Sequence, residues 1–162
     1  MNNIEALIKQ AFKVDNSKPN HAFDERWLKR EILEKLNPKE QELVNPAIDN
    51  LVKEGFITIE DRRGNCMVLT QKGYEELYPI DREKVINKIG VAILTRFAEQ
   101  KSRVGHIIDE RWINHNLIKK LNPREIELIN DAINNIVNEG FATANNNPFS
   151  LALTKKGFEH IY

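Results

Sequence analysis

The stretch LVNPAIDNLVKEGFITIEDRRGNCMVLTQKGY, from Leu43 to Tyr74, decides how this chain folds. Leu43, Val44, Ala47, Ile48, Leu51 and Val52 recur at spacings of three and four, the pattern of one apolar helix face. Gly55 supplies the left-handed residue that ends such a helix. "FITIED" then alternates like a half-buried strand, "RRGN" is a turn, and "CMVLT" is the returning strand. Thr70 is placed to cap a short closing helix that ends at Tyr78.

Upstream, Asn37, Pro38 and Glu40 form an Asn-Pro-x-Glu start for this helix. Asparagine accepts from the first free amides, proline occupies the position whose N–H has no acceptor, and glutamate completes a capping box. The spacing predicts one helix over Pro38 to Glu54, with a local kink at most at Pro46. A preceding helix begins at Asp24, an N-cap, with Glu25 in the first turn and Trp27, Leu28, Ile32, Leu33 and Leu36 on its apolar face. The first helix runs from about Ile4 to Phe12, and the turn-rich "DNSKPNHA" follows it.

An offset of 85 residues superimposes the chain on itself. From Ile4 and Ile89 to Thr58 and Thr143, 25 of 55 positions are identical, and beyond one deleted residue "LTQKGYEELY" meets "LTKKGFEHIY". Such a match is an internal duplication. Two copies are too few for a solenoid, so the expectation is two domains of one kind, 1–79 and 80–162. The second begins with a long connecting helix from Asp81 whose Val85, Ile86, Ile89, Val91, Ile93, Leu94 and Phe97 cover more circumference than one face requires. The excess is expected to pack on the first domain as a rigid pair, and a homodimer would use the same surface. Both tryptophans lie in a repeated DERW. Asp24 and Asp109 read as caps, Trp27 and Trp112 as core anchors under the third helix, and Arg26 and Arg111 either pair with Glu42 and Glu127 or face a ligand, the pairing being the favoured reading.

In both copies, "V..AI..LV.EGFI" or its equivalent leads through a turn to "LT.KGY", which resembles winged-helix domains. The resemblance covers nearly the whole chain twice. It implies a mainly α (α+β) fold of two winged-helix domains, each with three helices, a two-stranded β-hairpin wing and a short closing helix. It also implies a DNA-binding regulator, with the third helix in the major groove and the wing on the backbone.

Charge bears on that implication. The chain carries 24 basic and 24 acidic residues, so no overall field favours nucleic acid. The outward face of the first third helix presents Lys39, Asn45, Asp49 and Lys53. That of its repeat presents Arg124, Asn130, Asn134 and Asn138. Arg62 and Arg63 stand in the first wing, and the second, "ANNNP", is uncharged. Both third helices carry more acid than base, which suits phosphates poorly. The asparagines at spacing four could instead read adenine edges. Two partners remain open at this point. Double-stranded DNA, which follows from the resemblance, is the leading expectation, and the alternative, a protein docked on the acidic, amide-rich faces, accounts better for the charge.

Catalysis is not expected. Asp24 and Glu25 diverge at a helix start, His21, His106, His115 and His160 have no metal-ligand spacing, and no glycine-rich phosphate loop exists. Neither a metal nor a cofactor is implied. The single Cys66 reads as a small buried apolar residue, and no segment has the length and apolarity of a membrane span, so a cytoplasmic location is expected.

Overall fold

The computed structural model describes residues 3–62 and 64–162. The chain divides into two compact units, Met1–Pro79 and Ile80–Tyr162, each with its own apolar core. In the first, α1 (Asn3–Val14) leads through a loop to β1 (Ala22–Phe23) and α2 (Glu25–Glu31), followed by a 3-10 turn over Leu33–Lys35. Two helical pieces come next, α3 (Pro38–Gln41) and α4 (Val44–Lys53). The antiparallel pair β2 (Ile57–Asp61) and β3 (Asn65–Leu69) then leads into α5 (Gln71–Leu77). In the second unit the order is α6 (Arg82–Glu99), β4 (Ile107–Asp109), α7 (Glu110–Trp112), a π turn over Ile113–Leu117 and a 3-10 turn over Ile118–Lys120. It closes with α8 (Pro123–Ile126), α9 (Ile129–Asn138), β5 (Ala142–Asn146), β6 (Phe149–Leu153) and α10 (Lys155–Ile161). Among the described residues, no helix is long and apolar enough to cross a membrane.

The capping chemistry takes the form read from the sequence. Asn37 and Glu40, and Asn122 and Glu125, close reciprocal capping boxes over Pro38 and Pro123. Asp24 Oδ1 accepts from the Trp27 amide at 2.9 Å, and Asp109 Oδ1 from that of Trp112 at 3.0 Å.

Three features differ from the sequence reading. First, each sheet has three strands. β1 pairs antiparallel with β3, Ala22 opposite Val68, and β4 pairs with β6, Ile108 opposite Leu151, giving orders β1-β3-β2 and β4-β6-β5. Strands of two or three residues are too short to show alternation; only the partner defines them.

Second, the third helix is broken rather than kinked. Leu43 N–H donates to the carbonyl of Glu40, three residues back, before α4 begins, and Leu128 repeats this with Glu125. Pro46 is not the cause, because Asp131 occupies its place in the second copy and the break is the same. Pro46 is tolerated there because it lies in the first turn of α4, where its absent N–H has no intrahelical acceptor.

Third, the two tryptophans differ. Trp27 is 6% exposed, lies 4.2 Å from Phe23 and 5.5 Å from Phe12 between ring centroids, and donates Nε1–H to Asp15 Oδ2 at 2.7 Å. Its anchorage is therefore to α1 and β1. Trp112 is half-buried beneath the Arg96 guanidinium, 5.7 Å above its ring, because Ile108 replaces Phe23 and Gln100 replaces Asp15. In α6, Val85, Ile89, Ile93 and Phe97 are buried, and Ile86 and Leu94 pack against the core of the same unit. Of the seven apolar residues that made this helix look over-furnished, Val91 is the exposed one, at 63%.

The helix end at Gly55 is tied to both strands and to the closing helix. Gly55, at φ +73°, turns the chain so that Phe56 N–H reaches the carbonyl of Leu51. The Thr70 hydroxyl donates to the Gly55 carbonyl at 2.6 Å, with that of Phe56 at 3.0 Å, and accepts from Gly73 N–H at 2.9 Å. Lys72 Nζ donates to the carbonyl of Glu54 at 2.6 Å. Gly140, Phe141, Thr154, Lys156 and Gly157 repeat every one of these contacts. A Cβ on Gly73 or Gly157 would overlap the Phe56 or Phe141 carbonyl, so the Leu-Thr-x-Lys-Gly signature is a steric and hydrogen-bonding requirement.

Two predictions follow from this packing. Gly157→Ala should destabilise the second unit by more than about 2 kcal/mol, and Thr154→Val by about 1–3 kcal/mol, in urea unfolding monitored by circular dichroism. Trp27→Ala should cost about 3–5 kcal/mol in the first unit, while the half-buried Trp112→Ala costs distinctly less in the second. Equal losses at the two tryptophans would contradict the difference in packing.

Candidate functional site

The exposed face of each third helix and the neighbouring wing carry the residues singled out from the sequence. Lys39 on α3, and Asn45, Asp49 and Lys53 on α4, all face solvent, as does Glu42 between the two helices. In the second unit Asn130, Asn134 and Asn138 are exposed along α9, a stripe about 12 Å long at 1.5 Å rise per residue. Arg124, on α8, is half-buried.

Three cations near these faces, Arg82, Lys88 and Arg62, are paired with carboxylates. Arg82 donates to Asp131 Oδ2 at 2.8 Å, and Lys88 to Glu125 Oε1 at 2.7 Å, so α6 neutralises two acids of the α8–α9 segment. In the first wing, Arg62 Nε donates to Glu60 Oε2 at 2.7 Å and Nη1 to the Asn20 carbonyl at 3.2 Å, which turns the guanidinium back on its own unit. Arg63, the other wing arginine, lies outside the described residues. The second wing presents Asn145, Asn146 and Asn147 and no charge.

Arg26 and Arg111 do not take the role expected of them. Both are exposed and, among the described residues, neither forms an ion pair with Glu42, Glu127 or any other acid. Both stand in the first turn of a short helix whose cap orients the backbone, and nothing fixes their long side chains across the turn.

Two depressions of the second unit contain residues of the asparagine stripe. A shallow one of about 430 Å³ lies between α6 and α9; Arg82, Asn87 and Asp131 line it together with Asn134 and Asn138, so two asparagines of the stripe share a polar hollow. The other, of about 390 Å³, lies where the π turn, α8, α9 and β6 meet, and Asn130 stands on its rim. Ile113, Ile118, Ile126, Ile129, Ile133 and Phe149 form its apolar surface, with Glu110 and Asn114 beside Asn130 at the edge. Sequence reasoning missed this groove. Its signal was the divergence between copies, Gln41 against Ile126 and Asn65 against Phe149.

Among the described residues, no three His, Cys, Asp or Glu side chains converge as metal ligands, and Cys66 is buried. The exposed faces carry carboxylates, amides, Lys39 and Lys53. Comparison with protein-family models, with curated proteins and with solved structures returns no match.

Glu125 yields a pH prediction. Burial pushes its carboxyl up, but the Lys88 ammonium and the Asn122 N–H together outweigh that and hold it below the ordinary carboxylate range. A carboxyl whose folded-state pKa is depressed contributes stability above its unfolded-state value and loses it as pH falls through the folded one. Urea midpoints of the second unit should therefore decline on acidification below the usual carboxylate range, and Glu125→Gln should flatten that decline. Parallel wild-type and variant profiles would count against the linkage.

Proposed function

We propose that the chain is a non-catalytic tandem winged-helix protein that docks onto a partner protein through its third helices and wings. Its two units share an order of helices followed by a hairpin, which agrees with the winged-helix resemblance. The observation that carries the protein-docking choice is electrostatic. Beside the second third helix the cations Arg82 and Lys88 are paired with Asp131 and Glu125, and in the first wing Arg62 is paired with Glu60. What faces outward along the third helices is amide, acid, Lys39 and Lys53. DNA affinity rests on releasing counterions from phosphates neutralised by lysine and arginine, and such a face provides little of that. Protein interfaces tolerate a neutral, amide-bearing rim around an apolar centre.

One observation favours DNA as a second reading. Asn130, Asn134 and Asn138 are exposed on one face of α9, and asparagine can meet adenine with two hydrogen bonds.

Fluorescence anisotropy with labelled random-sequence duplex, run across a salt series, separates the two. The expected result is no binding even at the lowest salt, where the electrostatic contribution is strongest. Saturable binding whose log affinity falls linearly with log salt would replace protein docking by DNA binding. In that case Asn130→Ala, Asn134→Ala and Asn138→Ala would lower specificity more than affinity.

A further inference from the structure

We infer that the apolar groove of the second unit receives a bulky apolar side chain flanked by lysine or arginine on the partner protein. The site rests on the protein-docking reading above and adds its place and its chemistry. A volume of about 390 Å³ is enough for a large aromatic or branched side chain.

The duplication acts as an internal control. Unit one builds the same fold with Gln41 where unit two has Ile126, and the Gln41 amide donates to the carbonyls of Leu33 and Leu36 at 3.0 and 3.1 Å. It has Asn65 where unit two has Phe149, and Lys29 where unit two has Asn114. Two polar side chains have thus become apolar and a cation has become neutral around one depression. The fold does not require these apolar groups, since unit one does without them. Ile118, Ile126 and Phe149 remain only half-buried in unit two, so their apolar surface is still open to an occupant.

The backbone differs at the same place. In unit one Ile32 N–H donates to the carbonyl of Leu28, four residues back. In unit two the corresponding carbonyl, that of Ile113, is reached by Ile118 N–H, five residues back. The resulting π turn makes one wall of the groove, and such single-turn bulges are frequent at functional sites.

Charge selects the occupant. Glu110 is the charged residue among those lining the groove, it is exposed, and it has no ion-pair partner among the described residues. With Lys29 replaced by Asn114, no lining cation opposes it. An apolar anchor with a neighbouring cation is thereby favoured over the same anchor with a neighbouring acid.

The test uses the full chain with isoleucine δ1-methyl labels and two blocked tripeptides, Lys-Trp-Lys and Glu-Trp-Glu. Lys-Trp-Lys should shift the methyls of Ile118, Ile126 and Ile133 saturably, and Glu-Trp-Glu should bind about fivefold or more weakly. Glu110→Gln should reduce that ratio. Ile126→Gln, which restores the side chain unit one carries, should abolish the shifts while the remaining methyl spectrum stays folded. Equal binding of the two peptides, shifts that survive Ile126→Gln, or no shift at all would overturn the assignment. Groove methyls that move with protein concentration alone would place a second copy there and overturn it too. No peptide binding together with no duplex binding removes the groove and leaves docking by the third helices standing, whereas duplex binding removes the docking reading and the groove with it.

Discussion

One threonine hydroxyl in each unit holds the architecture together. A helix that ends leaves carbonyls without partners, and here Thr70 or Thr154 takes up those of the residues that turn the chain into the sheet. The same oxygen accepts the amide of Gly73 or Gly157, so one side chain joins the end of the third helix, the return of the hairpin and the start of the closing helix. Glycine is required three residues later because the closing helix presses its Cα against the carbonyl of Phe56 or Phe141. The direction in which the wing leaves the third helix follows from this junction. Every candidate contact surface is positioned by it.

Around that junction the two copies have kept the framework and changed the faces. Capping boxes, the left-handed glycines, the lysine on the last helical carbonyl and the buried third-helix positions recur. The aromatic cluster of Phe12, Phe23, Trp27 and Phe56 belongs to the first unit, whereas the second seats its tryptophan under Arg96. Charged wing and mixed helix face in one unit stand against uncharged wing and asparagine stripe in the other. The π turn, position 126 and position 149 are among the places where the copies differ.

Net charge alone does not describe a protein surface. A neutral chain can still hold a basic stripe if its cations are gathered on one face. Here α6 sets Arg82 and Lys88 against Asp131 and Glu125, and Arg62 pairs with Glu60. At exposed sites these pairs contribute little stability. Their consequence is for the surface potential, because each sets a carboxylate beside a cation.

What the sequence by itself determined are the features that depend on neighbours along the chain: the Asp24, Asn37 and Asn122 caps, the glycines that end the third helices, the periodicity of Ala47, Ile48 and Leu51, and the duplication. Hydrogen bonds spanning three or four residues and a helical repeat are written in local order. Only the tertiary structure decided the rest. β1 and β4 are strands because β3 and β6 lie alongside them. The third helices break between Glu42 and Val44 and between Glu127 and Ile129 in the presence or absence of a proline. Arg26 and Arg111 find no acid across the turn, and Trp112 is only half-buried although it shares DERW with Trp27. The groove of Ile126 and Phe149 brings together residues from the second helix, the third helix and the wing. Each of these turns on distances between segments that the local order of residues does not fix.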